Sequence, residues 1–223
     1  MSACNGILRR IGTAGILVVF GAALMFLGTP KSPASTSGMA PTPPEGTYTI
    51  DPAHSFAYFG ARHHIVGLVR GRFDKVTGTI TSAKNPSDCA LDVSIDTSSI
   101  NTQVVRRDDD LRGPEFFDVK NFPAMTYRGH GIRKAQNSTW IMDGELTIRG
   151  VTKQVPLTFR FNGLFPDMPQ GRPPRASFHA TAAVKRGEFG MTRDNLMELG
   201  PNPQSPDVDI EIDVEANASI PTK

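Results

Sequence analysis

The side chains able to do chemistry here are five histidines, a serine beside the first of them, and one dense run of charge. His54 is followed by Ser55, which could be half of a pair of hydroxyl nucleophile and base. Adjacent residues of a strand point to opposite faces, however, and no Gly-x-Ser-x-Gly elbow exposes that hydroxyl. His63, His64, His130 and His179 complete the set. They lack the paired spacing that marks zinc ligands, and His63 and His64 would diverge as strand neighbours, so no metal site is expected. Hydrogen-bonded histidines at strand ends are the plainer reading. An enzyme acting on a lipophilic small molecule, with His54 or His63 as acid or base, remains the alternative to a binding role. The run Arg106-Arg107-Asp108-Asp109-Asp110 reads first as a solvated face with local ion pairs. Cys4 and Cys89 are the only cysteines, so a chain that has lost its first segment can form no internal disulfide.

The elements that must position these residues are strands. Leu91, Val93 and Ile95 alternate with Asp92, Ser94 and Asp96, and Val208, Ile210, Ile212 and Val214 alternate with Asp209, Glu211, Asp213 and Glu215. Val155, Leu157, Phe159 and Phe161 repeat the pattern. Strict period-two alternation means one buried and one wet face, as in antiparallel sheets. Further strands are expected over 56–62, 69–73, 78–82, 125–132, 139–148 and 176–185. Eight or nine strands joined by polar or Gly-containing connections predict a closed barrel or sandwich. One short helix is expected over 103–112, stopped by Gly113-Pro114. The stretch Phe165-Pro-Asp-Met-Pro-Gln-Gly-Arg-Pro-Pro174 is too rich in proline for either regular element and predicts a long surface loop.

The N-terminus is built differently. After Arg9-Arg10 comes an apolar run from Ile11 to Leu27, then Ser32-Pro33-Ala34, a small-residue cleavage site. Residues 1–28 therefore predict either a secretory signal or an uncleaved membrane anchor. Both place the body beyond the membrane, periplasmic or secreted. Residues 29–46 hold five of the 18 prolines and predict an extended linker, with the folded domain over 47–218. The formal charge of +2 comes from 24 basic and 22 acidic residues, and Arg9, Arg10 and Lys31 are the only charges before Glu45. Without those three the balance is 21 against 22, a net of −1, which gives no electrostatic reason to expect nucleic acid as a partner.

Aromatic side chains are spread over most of the expected strands. Filling a core is their plain role. Phe178, Ala180, Ala182 and Val184 share one strand face, though, and the two alanines would leave volume inside a barrel that a long apolar ligand could occupy.

Three motifs in order sharpen the picture: Tyr48-Thr-Ile-Asp-Pro-Ala-His54-Ser55 with Phe59, His63 and Gly71-Arg-Phe73; Ile95-Asp-Thr-Ser-Ser-Ile-Asn-Thr through Arg107-Asp108 to Phe122-Pro-Ala-Met-Thr-Tyr127; and Gly144-Glu-Leu-Thr-Ile-Arg-Gly150-Val-Thr-Lys153. Together they resemble the YceI-like polyisoprenoid-binding proteins. The resemblance implies an all-β fold, an antiparallel eight-stranded lipocalin-like barrel with one short helical excursion and the long Pro-rich loop. It implies a cavity for a polyisoprenoid or quinone-like lipid, no other cofactor, and the membrane as reservoir or anchor. The expected wall is Phe59, His63, Phe73, Phe116, Phe117, Tyr127, Trp140, Phe159, Phe161, Phe178, Ala180, Ala182 and Phe189, with no catalytic residue. Arg107 and Asp108 match the family's Arg-Asp pair and are expected to anchor the excursion. His64-Ile65-Val66-Gly67 and Gln154 depart from the family pattern. A charged head group at the mouth would want Arg62, Lys185 or Arg186. Oligomeric state, a homodimer included, stays open.

Overall fold

Alternating side chains become the two faces of one antiparallel sheet in the computed structural model, which describes residues 42–63, 67–166, 168–191 and 208–219. The strands are β1 (Gly46–Ile50), β2 (Phe56–His63), β3 (Gly67–Phe73), β4 (Val76–Ser82), β5 (Ala90–Asp96), β6 (Ile100–Asn101), β7 (Ala124–His130), β8 (Arg133–Lys134), β9 (Trp140–Ile148), β10 (Val151–Phe165), β11 (Arg175–Val184) and β12 (Val208–Ser219). The one α-helix among the described residues, α1, spans Val105–Arg112. No described helix is long and apolar enough to cross a membrane, and the apolar run 11–27 lies outside the described residues.

β1, β4, β5, β7, β9, β10, β11 and β12 are hydrogen-bonded in that order, and β1 pairs back onto β12 to close an eight-stranded barrel. Closure leaves this ring no free edge. β2 continues β1, and β3 leads into β4, so these four form one long bent hairpin in which Gly46 faces Ser82 and Ala57 faces Phe73. The bend is pinned by the buried Ser55. Its hydroxyl donates to the carbonyl of Glu215 and accepts from the Glu215 N–H, both at 3.1 Å. β12 thereby serves both arms, pairing through Ala216–Ser219 with β1 and through Val208–Asp213 with β2.

The ends of the barrel differ. At one, Tyr48 meets Phe178 edge-on at 5.6 Å, Phe161 lies 5.4 Å from Phe178, and Ala176 faces Ala216 so that neighbouring strands leave no gap. Burial there pushes the Tyr48 phenol up to about 12, and its hydroxyl donates to the Pro44 carbonyl at 2.6 Å. The other end gathers the β2–β3 hairpin, the β9–β10 turn and the excursion between β5 and β7. Arg149 and Gly150, both at positive φ, make the two-residue turn that joins β9 to β10.

The excursion is fastened at several points. β6 pairs with Arg72 and Phe73 of β3, Arg112 donates to the Ile100 carbonyl at 2.8 Å, and Arg149 donates to the Phe116 carbonyl. α1 starts two residues later than the sequence predicts, because Gln103 adopts a left-handed φ of 66° that a helix cannot contain. Within the expected Pro-rich loop, Phe165 still belongs to β10, and Pro169–Gly171 form a 3-10 turn.

Candidate ligand cavity

The inward faces of the strands enclose a tube of carbon. The cavity inside it has a volume of about 200 Å³, more than ten times what a single water requires. All atom-free space, including the part open to solvent, amounts to about 1580 Å³. The interior is hollow.

Glycines explain how a barrel with this many large inward residues stays hollow. Tyr127 lies so flat against Gly144 that a Cβ there would come within 2.6 Å of the ring. Phe59 lies within 2.5 Å of a Cβ on Gly71, and Met142 within 2.7 Å of one on Gly129. Each large side chain therefore lies along the wall across a missing side chain instead of projecting into the centre. The Tyr127 hydroxyl lies 3.1 Å from the Met142 carbonyl and 3.0 Å from that of Val155, which hold the ring down, and burial pushes its phenol up to about 12.

Of the expected wall residues, Phe59, Phe73, Phe116, Phe117, Tyr127, Phe159, Phe178, Ala180 and Ala182 do line the cavity. Three do not. Phe161 is spent on the Phe178 ring at the closed end, and Phe189 is buried in the 3-10 turn Arg186–Phe189. Trp140 opens β9 beside Phe159 and Lys134, at the rim and off the wall. The side chain of His63 lies outside the described residues, as does His64. Sequence reasoning missed the aliphatic lining, above all Leu91, Val93 and Ile95 of β5 and Val208, Ile210, Ile212 and Val214 of β12, although their alternation marked them as inward. It also left Arg186 as one guess among three. Arg186 lines the cavity, whereas Arg62 and Lys185 do not.

Arg107 and Asp108 do not pair with each other as an ion pair. Both converge on Thr102: Arg107 donates to its hydroxyl and carbonyl at 2.8 Å, and Asp108 accepts from its N–H at 2.8 Å and its hydroxyl at 2.5 Å.

His54 lies off the cavity wall, with Nδ1 2.8 Å from Asp51 in an ion cluster that includes Arg175 and Glu215. Ser55 is committed to the backbone of Glu215, so the two form no nucleophilic pair. Strand pairing does bring together one set the sequence could not show. His179 of β11 and Glu211 and Asp213 of β12 place ligand-type atoms within 4.8 Å of one another, with His179 Nδ1 2.8 Å from Asp213. They alternate with the inward Phe178, Ala180, Ile210, Ile212 and Val214 and face away from the cavity.

Comparison with known proteins agrees with this architecture. Residues 48–216 match the family described as YceI-like domain. The chain is 36% identical over 171 residues to Protein YceI of Salmonella newport, covering 75% of this chain and 85% of that protein. Among solved structures, the Campylobacter jejuni YCEI protein superposes with a TM-score of 0.57 at 28% identity, covering 71% of this chain and 90% of that one. Burkholderia cenocepacia BcnA shares the fold at 21% identity and a TM-score of 0.55, over 76% of this chain and 99% of its own. A polyisoprenoid binding domain from Saccharophagus degradans does so at 19% and 0.55, over 77% and 98%.

Proposed function

This chain belongs to the YceI-like family, and from that premise we propose that it is an exported, non-catalytic binding protein that holds a polyisoprenoid or similar long lipophilic molecule for transport, storage or sequestration. The hollow carbon-lined tube is the observation that carries the reading. Buried apolar wall with no partner atoms opposite it forfeits dispersion and still excludes water, so an apolar guest restores contacts that the protein alone does not make. The Saccharophagus degradans domain, a polyisoprenoid binder by description, says which ligand class to try first.

Energetics favour exchange over permanent capture. Burying one prenyl unit away from water contributes on the order of 4 kcal/mol, and eight units would sum to about 30, beyond the practical limit of roughly 21 for noncovalent binding. Water is therefore the wrong competitor. A bilayer interior is as apolar as the tube, which brings membrane and protein close to balance. Among the described residues, three of the four exposed large hydrophobics, Leu68, Val104 and Val105, lie on the elements that gather at the open end, and Val105 is 77% exposed. β6 runs antiparallel to β3, so the chain from Thr102 to Val105 heads toward the tip of the β2–β3 hairpin that carries Leu68. Such a rim suits transient contact with a lipid surface. Residues 1–46, as signal and tether or as anchor, would deliver the domain to that surface.

The test is to purify the protein from its native envelope, extract it with organic solvent and identify the extract by mass spectrometry. One chain-like apolar molecule, recovered unchanged, is the expected result. Recovery of nothing, together with no uptake of a fluorescent prenyl analogue, would overturn the reading.

A further inference from the structure

Strand register sets two electron-pair donors face to face on the outside of the barrel. His179 of β11 stands directly opposite Asp213 of β12, and Glu211, two residues earlier on the same face of β12, stands opposite Thr181. His179 Nδ1 lies 2.8 Å from Asp213 Oδ1. A contact of that length between a ring nitrogen and a carboxylate needs a proton, so Nδ1 carries the ring's hydrogen and donates it to Asp213. Nε2 then keeps its lone pair, and it faces Glu211 Oε1 at 3.9 Å. Neither of those two atoms can donate to the other. A cation lodged between them turns the juxtaposition into an attraction.

The surrounding charges leave room for that cation. Along the outer face of β12 a carboxylate recurs at every second residue, from Asp209 through Glu211 and Asp213 to Glu215. Arg175 answers Glu215 at 2.8 Å, and Arg160, directly opposite His179 on β10, donates to Asn162 at 3.0 Å along its own strand. The imidazole is largely covered, whereas the Glu211 side chain is 61% exposed and free to close on an ion. Glu211 also lines a surface groove of about 640 Å³ together with Tyr58, Thr158, Thr181 and Asp209, which gives an ion space for water on its open side.

Donor chemistry selects the ion. A neutral imidazole nitrogen and a carboxylate oxygen suit zinc, nickel or copper, whereas calcium and magnesium ask for oxygen alone. Two bonds from zinc, each about 2.1 Å, span at most about 4.2 Å end to end, so the 3.9 Å between Nε2 and Oε1 lies within reach of one ion. Asp213 stands where a carboxylate supports a ligating histidine, fixing the ring's tautomer and raising the basicity of Nε2.

We propose that His179 Nε2 and Glu211 bind a zinc-type divalent ion on the outer face of the barrel, with Asp213 orienting the imidazole. These side chains point away from the tube, so the site stands whatever the tube holds. Zinc(II) is titrated into the tag-free full-length protein against a chromophoric chelator, beside NMR spectra of the ring nitrogens of His179. The wild type should hold one more zinc ion than His179→Ala, and its Nε2 resonance should shift on binding while Nδ1 stays protonated. Glu211→Gln should weaken that ion at least about tenfold, and Asp213→Asn about tenfold to a hundredfold. A large excess of calcium should not displace it. Equal zinc binding by the wild type, Glu211→Gln and His179→Ala would overturn the proposal, because the ion would then belong to other histidines or to the cysteines. So would displacement by calcium, or a His179 ring that carries protons on both nitrogens at neutral pH and ignores zinc.

Discussion

Asp108 and Thr102 lock together at two points: a single carboxylate oxygen accepts from the Thr102 N–H at 2.8 Å and from its hydroxyl at 2.5 Å, and both residues are buried. The clasp ties the start of α1 to the end of β6, which is itself paired with β3. Asp108→Ala would leave a buried N–H without its acceptor, so a loss of about 2–3 kcal/mol is expected, roughly 5–10 °C in melting temperature for a domain of this size. Asp108→Asn keeps an acceptor oxygen and should cost less. Thermal unfolding of the two variants measures the difference, and equal melting temperatures would contradict the role given to that oxygen.

How far such contacts were legible depends on their range. Alternation in β5, β10, β11 and β12 disclosed the strands and their inward faces, because period two is a local property. The block around Arg107-Asp108 disclosed the excursion. What local pattern could not disclose was which inward side chains reach the cavity. Phe161 and Phe178 alternate alike and stand directly opposite each other, yet only Phe178 lines the cavity. Trp140 likewise has the right parity and stands opposite the wall residue Phe159, yet it stays off the wall. The clustering of His179 with Glu211 and Asp213 depends on the register of β11 against β12, which no single segment encodes. Gly144 was visible only as the first residue of a motif and Gly129 not at all, since their role exists only opposite Tyr127 and Met142.

Those glycines yield a second prediction. Gly144→Ala places a methyl 2.6 Å from the Tyr127 ring, which must lift off the wall and into the tube. A stability loss of about 1–3 kcal/mol is expected, together with weaker uptake of a long prenyl probe. Gly187 has nothing within 4 Å of its would-be Cβ, so Gly187→Ala is the matched control and should stay within about 0.5 kcal/mol. Denaturant unfolding and probe titration read the pair.

Asp51 sets a pH dependence. Burial alone would raise its carboxyl, but bonds from His54, the Ala53 N–H and Arg175 outweigh that and hold it below the ordinary carboxylate range. A carboxyl lowered in the folded state contributes stability in full above its unfolded value of about 3.9 and loses it as pH falls through the lower folded value. The wild type should therefore lose stability in that acid window, and Asp51→Asn should show a shallower slope there. Melting temperatures from pH 6 down to about 2 test this; parallel curves would remove Asp51 from the account.

The exposed rim gives a kinetic prediction. If the open end meets a lipid surface, Val105→Asp should slow transfer of a fluorescent prenyl probe from vesicles while leaving its affinity in detergent-free solution unchanged. Val105 packs against little, so the fold should tolerate the substitution within about 0.5 kcal/mol. Unchanged transfer rates would detach the rim from exchange.

Ala180 offers the most direct test of hollowness. It lies on the wall between Phe159 of β10 and Ile212 of β12. In a packed interior, Ala180→Phe would force neighbours off their rotamers at a cost of about 1–3 kcal/mol. In an empty tube the new ring enters space already there and gains dispersion contacts with the opposite wall, so stability should hold or rise. The same ring blocks the path from the open end to Phe178, so uptake of long prenyl chains should fall at least about tenfold, the equivalent of 1.4 kcal/mol, while a probe short enough to lodge above Ala180 still binds. Preserved melting temperature with lost long-chain binding is the expected pair of results. Destabilisation with binding intact would mean that the space is filled by the protein's own side chains and the guest sits elsewhere.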